Sequence, residues 1–260
     1  MIEININPVV LTIASFKIGW GIIMAVVAAI VAMSVFVAIA RRFGIQKTHI
    51  LWLCSLTVIS GYIGAILFSI IESLIVYHDT GIIVNYGLRA DGFPIAVTIS
   101  TLIYARVTKL SFWQLLDIGA PCLILYMVVY RIGCVLVGCC YGLPCDQPWA
   151  VIYNNPNSPA PLATPIHPTQ LYHLIWNVIA LIIVWLLRKG FKVPGALGLV
   201  AWMLYFLGDF TIRFFRGNEP PVFSLSLSQI TDLMIIIAAA YFLTLRFKSA
   251  VRKEGIDSRP

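Results

Sequence analysis

An all-α integral membrane protein, a bundle of seven transmembrane helices with its amino terminus outside and its carboxyl terminus cytoplasmic, is the fold class the sequence predicts. Apolar residues make up 60% of the 260-residue chain and charged residues 11%, far below the roughly one-quarter charge of a soluble domain. Apolar stretches near the ~20 residues that cross a hydrocarbon core recur along the chain, broken by short polar clusters. Lys and Arg gather at alternate ends of those stretches, which sets the orientation.

The first span covers roughly 18–40. Polar residues and Pro8 precede it, without the basic start and small-residue cleavage site of a removable signal peptide, so it is expected to stay in the protein. Further spans follow at roughly 50–77, 92–107, 112–141, 168–187, 194–216 and 226–246, the third being short. Pro168 suits a first helical turn, where its missing N–H costs nothing, and so opens the fifth. Spans in hydrocarbon must satisfy their own backbone, which selects helices. Arg41, Arg42 and Lys47, Arg106 and Lys109, Arg188, Lys189 and Lys192, and the tail Arg246, Lys248, Arg252 and Lys253 fall on the cytoplasmic side; Lys17, Arg89, Arg213 and Arg216 lie opposite. These anchors account for the net charge of +7 and point to the lipid bilayer, not to nucleic acid, as partner. With no linker or internal repeat, 1–260 reads as a single transmembrane domain with an irregular outer loop near 142–166, extended at 149–153.

Ionisable side chains inside a span cost on the order of 2.5 to 3.5 kcal/mol each, so each calls for a partner or a wet cavity. Those placed so are Glu72, Asp117, Arg131, Asp209, Arg213 and Arg216. Asp117 is near an inner end and reaches the interface. Arg131 is deeper, and faces either a carboxylate, Glu72 or Asp209, or an anionic substrate group that its planar fork can grip. Asp209 and Arg213, four apart, share a helical face and can pair, and Arg216 adds a positive charge at the outer end.

The stretch "RIGCVLVGCCYGLPC" at 131–145 carries four of the six cysteines. Their spacing is not that of a structural zinc site and contains no C-x-x-C redox motif, so no metal is expected. Cys134 and Cys139 read as small packing residues, and a bridge from Cys139 or Cys140 to Cys145 stays open. Gly138 and Gly142 have the small-xxx-small spacing of close helix approach, and Gly142 can equally end the helix. Downstream, His167 and Gln170 of "HPTQLYH" stand at the mouth of the fifth span and with Arg131 compose a polar pocket suited to a phospholipid head group.

"RIGCVLVGCCYG", "PWAVIY" and "HPTQLY" follow one another in the order of the signatures of the bacterial prolipoprotein diacylglyceryl transferases, which the chain resembles. "FKIGWG", "GYIGAILF", "RFFRGNE" and "SQI" extend the similarity over most of the chain. The resemblance implies transfer of the diacylglyceryl group from phosphatidylglycerol to the cysteine thiol of a prolipoprotein signal peptide, without cofactor, in the bacterial cytoplasmic (inner) membrane. It implies catalytic roles for Arg131, His167, Gln170 and Tyr172, and substrate-binding roles for Gly133, Gly138, Gly142, Arg213, Arg216 and Gln229.

The chain also departs from that pattern. Cys134 and Cys139 stand where the family usually has asparagine and glutamate, "DGFPIAV" lacks the histidine of the third-span loop, and His173 replaces a common glutamate. The general base is therefore open between His173 and Glu72. A catalytically altered or inactive lipid-binding protein of the same fold, and a thiol or metal redox membrane protein, are the alternative functions.

Overall fold

The structure is a computed structural model that describes residues 1–14, 16–81, 89–217, 221–222 and 225–257. Among them are seven helices, α1 (Trp20–Arg42), α2 (Lys47–Thr80), α3 (Gly92–Thr108), α4 (Phe112–Val137), α5 (Thr169–Leu187), α6 (Ala196–Arg213) and α7 (Leu227–Asp257). Six short strands accompany them: β1 (Ile2–Ile4), β2 (Val9–Ile13), β3 (Phe16–Gly19), β4 (Val151–Tyr153), β5 (Pro221–Val222) and β6 (Leu225–Ser226). Six helices are long and apolar enough to cross a membrane, and α3, at 17 residues, is shorter. The protein is a multi-pass membrane protein.

The chain divides into two compact units, 36–118 and the pair of segments 1–35 and 119–260. In the first, α2 packs along α3. Contact is backbone to backbone: a Cβ on Gly64 would lie 2.3 Å from the Gly92 carbonyl oxygen, and one on Gly92 would lie 2.0 Å from that of Gly64. Ser100 Oγ donates across the same seam to Ser60 Oγ at 2.9 Å. At the other end of these helices Ala40, Ile45, Ile50, Leu53, Ala105, Leu115 and Ile118 form a buried apolar cluster, beside which His49 Nδ1 and Tyr104 Oη are 2.9 Å apart. Glu72 and Arg89 pair within this unit, both buried. Glu72 is thereby engaged by Arg89, on its own unit.

In the second unit α5, α6 and α7 pack in sequence order. Gly208 lets α6 receive the Trp176 ring, whose Nε1 donates to the Leu204 carbonyl at 2.7 Å. Ser226 and Gln229 start α7 with a reciprocal capping box: Gln229 N–H donates to Ser226 Oγ at 3.2 Å and Ser226 N–H to Gln229 Oε1 at 2.9 Å. The S-x-x-Q signal was present in the sequence. At Gly133 a Cβ would approach Met24 to 2.8 Å, so α1 and α4 meet closely there.

The fourth helix ends at Val137, four residues before the expected limit. Gly138 takes φ +82°, a left-handed conformation that glycine accepts without cost, and its N–H closes on the Cys134 carbonyl at 2.9 Å. Tyr153 Oη and Ser158 Oγ then donate to the Val135 and Val137 carbonyls at 2.8 and 3.0 Å. The outer loop thus satisfies orphan carbonyls at the helix end. That loop is ordered by β4, at 151–153 within the expected extended piece, and by the unexpected parallel pairing of β4 with β1 at the amino terminus. Val151, Tyr153, Ala160 and Ile166 form its apolar core.

Two stability consequences follow from the 36–118 unit. Gly64→Leu is expected to cost about 3 kcal/mol, the upper end of overpacking, because backbone on α3 cannot move aside as a side chain would. Glu72→Leu removes the carboxylate that pairs with the buried Arg89 and is expected to cost about 3–5 kcal/mol. Both are read from the denaturation midpoint of the purified chain in detergent, and an unchanged midpoint contradicts the packing or the pairing.

Candidate functional site

The polar centre of the second unit is built on α6. Asp209 and Arg213, one turn apart, pair as the spacing predicts: Arg213 Nε and Nη2 lie 2.7 and 2.6 Å from Asp209 Oδ2. Neighbouring helices complete the cluster. Arg131 of α4 brings Nη2 to 3.5 Å from Asp209 Oδ1, and His173 of α5 brings Nδ1 to 3.3 Å from the same oxygen. Asp232 of α7 places Oδ2 3.4 Å from Arg213 Nε. Four helices therefore converge on one buried ion group. Arg216, just beyond α6, is close enough for its charge to act on Asp209 and His173.

Charge and satisfaction show what this group can take. Arg131, Arg213 and the nearby Arg216 are buried with two carboxylates, Asp209 and Asp232. Charges so buried are costly in low dielectric unless paired and hydrogen-bonded. Arg131 Nε, His173 Nε2 and Asn177 Nδ2 are buried with no hydrogen-bond partner among the described residues, and so is the acceptor Asp209 Oδ1. The unmatched donors suit an anion with acceptor oxygens.

Cys134, Cys139 and Cys140 come together at the end of α4, their Sγ atoms all within 4.8 Å of one another. This convergence was hidden from spacing, because it depends on the left-handed turn at Gly138 and on the positive φ of Cys140, +55°. The S–H groups of Cys134 and Cys139 donate to Cys140 and hold its thiol well below the ordinary thiol range, with the Arg216 and Arg131 charges adding to the effect against burial. Three thiols so placed are a donor set for a soft metal ion, but the guanidinium charges beside them act against any cation. All six cysteines are free thiols, so the bridge to Cys145 is not formed.

The start of α5 holds this turn in place. Gln170 Nε2 donates to the Cys139 carbonyl at 2.8 Å and Thr169 Oγ1 to the Cys140 carbonyl at 2.6 Å, both from buried side chains. His167 sits elsewhere: its Nδ1 is 3.1 Å from Tyr172 Oη, which accepts from Trp149 Nε1 at 2.9 Å, and its ring meets Phe215 with centroids 5.2 Å apart. The expected pocket of Arg131, His167 and Gln170 is thus resolved into two neighbourhoods, an ion cluster around Arg131 and an aromatic cluster around His167 and Tyr172.

The glycines and Gln229 have identifiable packing work. Gly133 faces α1, and Gly138 forms the turn with Ser158 and Tyr153 against it. Gly142 lies in extended chain bridged to Arg216, where a Cβ would approach the His167 carbonyl oxygen to 2.4 Å, so it belongs to neither a helix end nor a helix seam. Gln229 caps α7 and also donates to the Phe210 carbonyl at 3.3 Å. Arg213 closes α6 and Arg216 lies three residues beyond it; within "RFFRGNE", Asn218 and Glu219 lie outside the described residues. Sequence reading missed Asp232 and Asn177, both buried polar residues inside helices, which the cost of polar groups in hydrocarbon would have flagged.

Known proteins match the chain along nearly its whole length. The sequence pattern of the family described as prolipoprotein diacylglyceryl transferase matches residues 8–245. A phosphatidylglycerol–prolipoprotein diacylglyceryl transferase of Dehalococcoides mccartyi is 31% identical over 249 residues, 95% of this chain and 96% of its own. That of Clostridium tetani is 29% identical over 93% of this chain and 99% of its own, and a second such enzyme of Clostridium perfringens is 31% identical over 85% and 86%. The order of buried arginine, cysteine turn and HPTQLY helix, together with these matches, places the chain in the prolipoprotein diacylglyceryl transferase family.

Proposed function

We propose that the protein transfers the diacylglyceryl group of phosphatidylglycerol to the cysteine thiol of a prolipoprotein signal peptide, releasing glycerol phosphate. The observation that carries this reading is the buried Arg131, whose Nε has no hydrogen-bond partner among the described residues and can donate to a phosphodiester oxygen. Relatives bearing the transferase name support the same reading.

In the proposed reaction the acceptor sulfur attacks the glycerol carbon, the carbon–oxygen bond to phosphorus breaks, and negative charge builds on the departing phosphate. Arg131, with a buried Nε that has no partner among the described residues, meets that charge as it develops. Arg216 adds to the field, while Arg213 is committed to Asp209 and Asp232 and positions rather than binds. Gln170 fixes the turn behind the phosphate, and His167 and Tyr172, with Trp149 and Phe215, form an aromatic rim for the signal peptide. Gly133, Gly138 and Gly142 bring backbone close to the site. This chemistry requires no cofactor. We place the whole chain as one seven-span domain in the bacterial inner membrane, amino terminus outside, with the basic residues from Arg246 onward cytoplasmic.

Incubation of the purified protein with phosphatidylglycerol and a lipobox peptide should yield a peptide heavier by one diacylglyceryl group; a wild-type chain that forms none refutes the reading. Arg131→Ala should lower kcat/KM by about 10²–10³, the scale of losing one donor to a developing anion. Arg131→Lys should recover only part of it, since an ammonium keeps charge but not the fork. For orientation, an alkaline phosphatase fused after Arg252 should be inactive, and an active fusion would reverse the assignment.

A further inference from the structure

We infer that His173 is the general base of this site, its Nε2 taking the proton from the acceptor thiol while Asp209 holds its Nδ1. The inference rests on the transferase reading above and supplies the step that reading lacks, because a thiol attacks carbon only as the thiolate. Two bases were open from the sequence. Glu72 is bound to Arg89 in the other unit, whereas His173 lies in the ion cluster itself.

Three observations carry the assignment. His173 is 1% exposed, so its position is set by packing rather than by solvent. Its Nδ1 stands 3.3 Å from Asp209 Oδ1, a charge contact without hydrogen-bond geometry, and Oδ1 has no hydrogen-bond partner among the described residues; a small rotation that directs an Nδ1 proton there leaves the Nε2 lone pair available. Nε2 is buried and has no hydrogen-bond partner among the described residues, although a lone pair left unmatched in a protein interior is disfavoured. An acceptor thiol is a donor that would match it. The nucleophile, base and orienting carboxylate then form the arrangement common to activated nucleophiles.

The surroundings are consistent with that role. Arg131 from α4, Cys140 from the turn after it, Arg213 from α6 and Arg216 beyond it all act on the imidazole, with Asp209 as its carboxylate partner and Asp232 of α7 reaching it only through Arg213. As the thiol proton arrives on Nε2, the sulfur electron pair forms the S–C bond, and the C–O bonding pair leaves on the phosphate. One negative charge is created there as one positive charge is created on His173 beside Asp209. The imidazolium afterwards gives its proton to water, and the site is restored. The Cys140 thiol is no substitute as a covalent carrier, since diacylglyceryl bound to it would be a thioether that a second thiol does not displace.

The test is the pH dependence of transfer by the full-length protein in phosphatidylglycerol micelles with a lipobox peptide, comparing wild type with His173→Asn and His173→Gln. Asn places its amide where Nδ1 is and keeps a donor for Asp209, while Gln places its amide at Nε2. Both should lower kcat by about 10²–10³ at pH 6.5 with KM for the lipid within threefold of wild type. Because the variants then rely on spontaneous ionisation of the thiol, whose ordinary pKa is about 8.5, their rates should climb nearly tenfold per pH unit up to that value, and the deficit should shrink at least tenfold by pH 8.5. A deficit of constant size across pH, or a KM that rises in step with the loss of kcat, assigns His173 a structural role and overturns the proposal. So does a His173→Asn variant as fast as wild type, and so does loss of folding in both variants, read as absence of a monodisperse detergent-solubilised species. Wild-type activity with a flat variant profile defeats the base alone, whereas an inactive wild type defeats the transferase reading with it.

Discussion

Everything distinctive about the second unit depends on Asp209, a buried carboxylate approached by basic groups from three helices. One carboxylate oxygen is taken by its own helix through Arg213, and the other is approached by Arg131 and His173 from two further helices. Removing charges from water costs several kcal/mol per ion even after relaxation, and a buried pair often does no better than hydrocarbon of the same shape. Stability alone therefore gives no reason to assemble these arginines and aspartates in a membrane. An anion-binding requirement does, because Arg131 Nε, with no hydrogen-bond partner among the described residues, is a donor for one.

The same constraint explains the placement of the surrounding elements. α4 has to stop at Gly138 so that the chain can turn beside Arg131, and the carbonyls exposed by stopping are met by Tyr153, Ser158, Thr169 and Gln170. Those four side chains come from the outer loop and the start of α5, which is why an irregular loop is tolerated at the site. A Cβ on Gly142 would come 2.9 Å from the Phe215 carbonyl oxygen and one on Gly217 2.9 Å from that of Gly142, so a side chain at either would push the segment after α4 away from the end of α6. Small residues here set the distance between two charged helix ends.

How much was legible in the sequence differs between fold and site for a physical reason. Helix positions follow from apolar length, which is local, and each of the seven appears close to its expected span; the hairpin of β2 and β3 and the β1–β4 pairing did not, because short strands are stabilised by partners distant in the chain. Asp209 and Arg213 could be paired from a four-residue interval on one helix. Arg131 was left between Glu72 and Asp209, since choosing needs to know which helices meet. His167 and Gln170 were grouped with Arg131 by proximity in motif order, yet one joins an aromatic cluster and the other secures a turn. Cys134 and Cys139 read as packing residues, apart from Cys140, because the convergence of the three thiols is produced by two positive φ angles that spacing does not encode.

The cysteines then become intelligible as part of the same cluster. Where the family pattern usually carries asparagine and glutamate, this chain has Cys134 and Cys139, which removes one carboxylate from the turn that follows α4. The thiols gather there with Cys140, their sulfurs within 4.8 Å of one another. His173 stands where that pattern commonly has glutamate, and so withholds a second carboxylate from the surroundings of Arg131. The substitutions at 139 and 173 thus act in one sense: each withholds a carboxylate that would compete with a bound phosphate for the Arg131 guanidinium.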